Sequence, residues 1–200
     1  HGGEFEGGKY PIPGFPSAVM APLNHANAGA LKKVFPFTAP SPVLGKDFTV
    51  GVGDRLGIAT PGHIRVFEHC DAYPVFAQQS IRELNFTHRT YDEVLDSAVF
   101  AVFRENFTKG YGADGDHLKT RDEIKYALSC GYTMITLDCS EHIHGCDAEG
   151  SVSPDLKERY LGKTYSLPDG LSVFFDGETL SRAVKIYGEA IEFAAAIYIE

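Results

Sequence analysis

The sequence predicts an α/β protein of TIM-barrel type: about the first half of a (β/α) barrel, preceded by a Gly/Pro-rich arm. Three observations lead there. Short apolar runs alternate with capped amphipathic helices, polar clusters recur at the ends of those runs, and the chain stops just after a long helix. About four β/α units are present, whereas a closed barrel needs eight strands and about 250 residues. An open doubly wound sheet is the alternative architecture. The expected organisation is an irregular arm over 1–45, then the N-terminal half of a barrel catalytic domain over 46–200.

Residues 1–45 carry Pro11, Pro13, Pro16, Pro22, Pro36, Pro40 and Pro42, which argues for an irregular covering segment. Phe48-Thr49-Val50-Gly51-Val52 reads as a strand. Thr60-Pro61 then opens a helix, with Thr60 as N-cap and Pro61 in the first helical position. Pro74-Val75-Phe76-Ala77 is the second strand, ending at Gln78-Gln79, and Ser80 and Glu83 have capping-box spacing for a short helical turn. Thr90 and Glu93 form a second box, before a helix whose apolar face runs from Val94 through Phe107 until Gly110 ends it. Tyr111-Gly112-Ala113 leads into the polar cluster Asp114-Gly115-Asp116-His117-Leu118-Lys119. Thr120 and Glu123 cap the next helix, which stops at Gly131. Tyr132 to Leu137 is a β-type run feeding a second cluster, Asp138-Cys139-Ser140-Glu141-His142-Ile143-His144. An insertion or lid occupies roughly 145–178, with short elements near Leu156–Leu161 and Leu171–Phe175. A long helix over 179–199 closes the chain, its stripe formed by Leu180, Ala183, Val184, Tyr187, Ile191 and Ala194.

Composition narrows the function. The chain has 200 residues and a formal net charge of −9, which disfavours nucleic acid, a partner that rewards basic patches. No apolar run approaches the roughly 18 residues of a membrane span, and no signal peptide is recognisable. The four cysteines are too few for a disulfide framework, so a reduced cytoplasmic setting is expected. Cys70 and Cys130, near helix ends, read as small buried hydrophobes. The partner class left is a small molecule, with either a homo-oligomer or a missing C-terminal half completing the assembly.

The two clusters are expected at the C-terminal ends of neighbouring strands, where barrels carry their catalytic groups. A polar loop with one capping aspartate is the bland alternative. Their mixture of carboxylate and imidazole suits a divalent metal such as Mn, Fe, Co, Ni or Zn better than Mg or Ca. Cys139, His142, His144 and Cys146 raise a rival, a closed structural zinc site, although their spacing is too compressed for the common motifs. Gly51-Val52-Gly53-Asp54-Arg55-Leu56-Gly57 only approximates a dinucleotide fingerprint, because the helix opens too late. Arg55 with the helix-start amides near Gly62-His63 would instead form an anion site. Gln78, Gln79, Ser80 and Arg82 would supply donors to sugar hydroxyls, with a solvated helix charge as the alternative for Arg82.

Four strings are unusual enough to carry a resemblance. Gly53-Asp54-Arg55-Leu56-Gly57-Ile58-Ala59-Thr60-Pro61-Gly62-His63, Phe76-Ala77-Gln78-Gln79-Ser80-Ile81-Arg82-Glu83-Leu84, Gly112-Ala113-Asp114-Gly115-Asp116-His117-Leu118-Lys119 and Thr136-Leu137-Asp138-Cys139-Ser140-Glu141-His142 resemble the tagaturonate epimerase family. The similarity runs from about residue 48 to the final helix. It departs at Cys139, where that family has proline, and His144 and Cys146 lie outside the pattern.

The resemblance implies a barrel much longer than this chain and metal-dependent inversion of carbon 4, interconverting tagaturonate and fructuronate or acting on related neutral ketohexoses. Carbon 4 is β to the ketone at carbon 2, so simple enolisation does not acidify its hydrogen. Retro-aldol cleavage between carbons 3 and 4 is then the expected route, with transient oxidation by a nicotinamide as the other. Under that implication Glu141 and Asp116 are the base and acid. His117, Asp138 and His142 form the pool of metal ligands, and Lys119 and Arg55 hold the carboxylate or the developing alkoxide. A barrel aldolase or sugar isomerase, and a non-catalytic sugar-binding fragment, are the competing functions.

Overall fold

A computed structural model describes residues 3–145 and 151–199. The chain divides into two compact units, His1–Leu137 and Asp138–Glu200.

The first unit opens with β1 (Gly8–Lys9) and β2 (Val19–Met20), an antiparallel pair, followed by helix α1 (His25–Val34). The arm is thus not wholly irregular, as its prolines suggested. They flank α1 rather than interrupt it, and Asn24 caps it by accepting from the Asn27 N–H. Its Ala28 and Leu31 pack with Val99 into a core bordered by Phe5, Phe35 and Phe100. Then come β3 (Thr49–Gly53), α2 (Thr60–Phe67), β4 (Tyr73–Ser80), α3 (Ile81–Thr87), α4 (Tyr91–Arg104), β5 (Gly112–Leu118), α5 (Arg121–Cys130) and β6 (Met134–Leu137). The four later strands form one sheet in the order β3-β4-β5-β6, each neighbour parallel. Helical crossovers are what allow parallel neighbours.

Local chemistry sets most helix starts. Capping boxes form at Ser80/Glu83, Thr90/Glu93 and Thr120/Glu123, as their spacing predicted. Gly131 ends α5 at φ 102, a left-handed position that glycine takes without steric cost. Helix α4 ends at Arg104, short of Gly110, and Asn106 at φ 52 turns the chain so that Phe107 reaches the core from outside the helix. Phe76 of β4 is fully buried against Phe67, Phe107 and Tyr111, with ring centroids 5.3–6.2 Å apart. Cys130 is buried as expected, but Cys70 is exposed, because the α2–β4 turn that carries it lies on the surface.

The first polar cluster is not a loop after a strand; all of it but Lys119 lies within β5. This strand pairs with β4 on one side and β6 on the other, and Gly115 packs tightly within it. A Cβ there would sit 3.1 Å from Ile135 Cδ1 and Leu118 Cδ1, and 3.2 Å from Ala127 Cβ. The glycine serves close packing of strand and helix, not a turn. The registers of β3 against β4, β4 against β5 and β5 against β6 all shift near their C-terminal ends. Ala77 (φ 55) and His117 (φ 54) adopt left-handed conformations at two of these shifts. Such bulges re-aim side chains and often adjoin active sites.

The second unit begins with a 3-10 turn, Ser140–His142, and continues with α6 (Pro154–Tyr160), the hairpin β7 (Thr164–Ser166) and β8 (Ser172–Phe174), and α7 (Gly177–Ile199). Tyr160, Tyr165 and Phe175 pack with centroids 5.7–5.9 Å apart. Of the stripe read on α7 only Leu180 is buried, together with Ala190, while Tyr187 and Ile191 are exposed. No helix among the described residues is long and apolar enough to cross a membrane.

Candidate functional site

The bulged ends of β3, β4 and β5 enclose a cavity of about 610 Å³ whose polar lining includes Asp54, Arg55, Gln78, Glu83 and Asp116. The Arg55 guanidinium forms an ion pair with Glu83. Glu83 was legible only as a helix cap, and its Oε2 does accept from the Ser80 N–H at 3.4 Å. Its other oxygen faces Arg55, so one carboxylate both caps α3 and anchors a cationic wall of the cavity. The Asp116 side chain is 19% exposed and lies 3.8 Å from His117 Nε2. Burial pushes its carboxyl above the ordinary range; the nearby His117 opposes this, and the negative charges of Asp114 and Glu83 reinforce it. A carboxyl raised in this way is suited to moving protons.

Asp114 lies deeper and is fully buried. Its Oδ2 accepts from Gln78 Nε2 at 2.9 Å and from Thr136 Oγ1 at 2.7 Å. Its Oδ1 is buried with no hydrogen-bond partner among the described residues. β4, β5 and β6 thus each contribute one member of a polar row across the sheet.

Other expected groups are placed differently. Gln79 is fully buried, with Nε2 donating to the Arg55 carbonyl at 3.2 Å and Oε1 accepting from Arg89 at 3.4 Å. It faces the opposite side from Gln78, as alternation along a strand requires, and ties loops together. Ser80 spends its hydroxyl oxygen on the Glu83 N–H, and Arg82 is exposed on α3. The anion site expected at the start of α2 is filled from within. Asp54 accepts from the Ile58, Ala59 and Thr60 N–H groups and the Thr60 hydroxyl at 2.7–3.0 Å, while the Gly62 and His63 amides bond to the Ala59 carbonyl. Thr60 is therefore the first helical residue rather than the cap, because a carboxylate reaches those donors from the preceding loop.

A larger cavity, about 1170 Å³, lies beside α1 and α4 and includes His25, whose Nδ1 is 2.9 Å from Asp96 Oδ2. The smaller one is the better candidate despite its size, because it lies at the strand ends and gathers Arg55, Glu83 and Asp116 around one space.

In the second unit Asp138 Oδ1 accepts from the Ser140 N–H at 2.9 Å, closing a tight turn that carries the exposed Glu141. His142 Nδ1 lies 2.8 Å from Glu189 Oε1, and His144 Nε2 lies 2.5 Å from Glu189 Oε2. The His142 ring stacks on Phe193 at 4.3 Å. Hydrogen bonds from both imidazoles pull the Glu189 carboxyl below its usual value. Glu189 carries one local sequence signal: it stands one helical turn from Phe193, so both can meet one imidazole.

Among the described residues no group of three or more His, Cys, Asp and Glu side chains is arranged to hold a metal ion. Of the expected ligands, His117 belongs to the first unit and Asp138 and His142 to the second. In the rival zinc cluster His142 and His144 both turn to Glu189, and Cys146 lies outside the described residues. Lys119 uses its backbone N–H to donate to Glu123 Oε2 at 2.8 Å.

A parallel α/β sheet with charged groups around a cavity at its C-terminal edge is the arrangement by which enzymes of this class bind small molecules. Comparison with known proteins narrows the class. Residues 5–200 match the model of the tagaturonate epimerase family, and the chain belongs to that family. It is 38% identical over 186 residues to the tagaturonate/fructuronate epimerase of Thermotoga maritima, covering 88% of this chain and 38% of that protein. It also resembles the crystal structures of the fructuronate-tagaturonate epimerase of Cohnella laeviribosi. The native form has a TM-score of 0.88 at 40% identity, and a glycerol complex 0.87 at 41%, each match covering 98% of this chain and 42% of the other. The chain therefore spans about two fifths of the length of the relatives it matches.

Proposed function

We propose that this chain is the N-terminal (β/α) half of a barrel epimerase that inverts carbon 4 of a keto-uronate, interconverting tagaturonate and fructuronate. Family membership supports the reaction class, and the strictly sequential parallel order of β3 to β6 supports a barrel over a sheet whose strand order reverses. The observation that carries the reading is Asp116, largely buried and raised, in one cavity with the Arg55–Glu83 pair.

In this reading Arg55, with Lys119, holds the substrate carboxylate or a developing alkoxide. Asp116 and Glu141 exchange the proton of the carbon 4 hydroxyl. Its removal lets the bond between carbons 3 and 4 break, giving an aldehyde fragment and an enolate. Rotation of the aldehyde and re-formation of the bond return the proton and yield the epimer, with no net loss of atoms or electrons. A divalent metal (Mn, Fe, Co, Ni or Zn) belongs to the proposal, with His117, Asp138 and His142 as its pool of ligands. The described residues do not assemble a complete ligand set. A cytoplasmic setting follows from the metabolic reaction class.

The test is incubation of the full-length protein with tagaturonate and Mn or Ni, followed by carbon NMR. Fructuronate is expected. A folded, metal-loaded protein that leaves tagaturonate unchanged refutes the proposal, and conversion to any other product points to an aldolase or isomerase.

A further inference from the structure

The side-chain donors expected of Gln78 are not what the cavity receives. Its Nε2 points to Asp114 Oδ2, an acceptor already shared with the Thr136 hydroxyl. A carboxamide facing a carboxylate oxygen has one favourable orientation, amino group inward, so the O/N assignment at Gln78 is dictated by its neighbour. Oε1 takes no hydrogen bond from a described residue, and Gln78 lines the strand-end cavity. Beneath the carboxamide lies Gly51, where a Cβ would come within 2.7 Å of Nε2 and Oε1 and 2.9 Å of Cδ. Gly51 sits in strand β3 without a positive φ, so its backbone does not require glycine; a methyl there would instead push the Gln78 carboxamide aside.

We propose that Asp114 is a positioning residue that locks the Gln78 carboxamide, with bare Gly51 as its seat, so that Gln78 offers Oε1 as an acceptor to a hydroxyl of the bound sugar acid. This deepens the epimerase reading and rests on it for the ligand. Gln78 becomes a determinant of specificity: a hydroxyl, which can donate, is accepted, and a ligand presenting only an acceptor there is rejected. Asp114 and Gly51 act through Gln78 rather than on the substrate.

The test uses full-length Q78A, G51A, G51A/Q78A and D114L, which leaves no acceptor at position 114, with Kd for tagaturonate from titration calorimetry and KM and kcat from carbon NMR. Q78A, G51A and D114L should each weaken binding about tenfold, the scale of one lost polar contact to a substrate hydroxyl. The effect should fall on Kd and KM, with kcat within about threefold. The double variant should bind no worse than Q78A, because a methyl at position 51 has nothing left to displace. Effects of G51A and Q78A that multiply would overturn the proposal, as would wild-type binding by G51A or D114L. So would a wild-type protein that does not bind tagaturonate. Should D114L fail to fold, the Gly51 and Gln78 comparison decides alone. Binding that follows the expected pattern without turnover leaves this inference standing and sinks the epimerase reading.

Discussion

Replacing Asp54 by alanine should loosen the loop that carries Arg55, and the structure sets the size of the effect. Asp54 is 5% exposed and receives four hydrogen bonds. Ile58 and Ala59 are exposed, so their amides can turn to water once the carboxylate is gone. The N–H and hydroxyl of Thr60 cannot, because that residue is 3% exposed. Two stranded buried groups at about 1–3 kcal/mol each give a loss of about 3 kcal/mol for D54A. That corresponds to about 6–12 °C in Tm for a protein of this size. D54N can keep one oxygen at the position of Oδ2, which serves three of the four donors, and should lose only about 1 kcal/mol.

The pH dependence gives a second handle on the same residue. Burial raises the Asp54 carboxyl, but the hydrogen bonds from Ala59, Thr60 and Ile58 outweigh it and leave it below its ordinary value. Its contribution is therefore present above the unfolded pKa of about 3.9 and is lost as pH falls through the lower folded value. Thermal unfolding followed by circular dichroism at pH 7 and near pH 3 should show the D54A deficit in full at neutrality and diminished in acid. A D54A protein within about 2 °C of wild type at pH 7, or a deficit that grows in acid, refutes this reasoning.

Three further outcomes are expected. Asp116 has the opposite sign: its raised carboxyl binds a proton more tightly folded than unfolded, so stability falls as pH climbs through the window above the unfolded pKa. D116N should therefore raise Tm at neutral pH and show no gain below about pH 4; a loss at pH 7 contradicts the assignment. The depressed Glu189 carboxylate can only accept, so nitrogen-15 NMR should find Nδ1 of His142 and Nε2 of His144 protonated, a pattern that E189Q abolishes. G115A should cost about 1–3 kcal/mol in chemical denaturation, because Ile135, Leu118 and Ala127 must all give way; unchanged stability would show that the packing at β5 is looser than described.

What could be read from the sequence was what local chemistry decides. Ser80/Glu83, Thr90/Glu93 and Thr120/Glu123 each hold donor and acceptor three residues apart, so their helix starts follow from spacing alone. Gly131 ended its helix for an equally local reason. What stayed hidden depends on distant partners. Asp114-Gly115-Asp116 has the composition of a turn, and it becomes strand through pairing with β4 and β6, partners unseen in its own local pattern. Gln78 reads as a donor until Asp114, 36 residues on, claims its amino group. Glu189 meets His142 across 47 residues, and no local pattern announces such a pair. The same holds for α1, whose prolines flank a helix that stands on contacts with Val99 and Phe100.

The proposed epimerisation depends on Asp116 moving a proton in the cavity at the ends of β3, β4 and β5. Carbon NMR of tagaturonate incubated with full-length wild type and with D116N, both metal-loaded and shown to be folded, tests it directly. Fructuronate is expected from the wild type, and a rate at least about 100-fold lower from D116N, the scale of a lost acid–base group. Undiminished conversion by D116N, or none by the wild type, would contradict it.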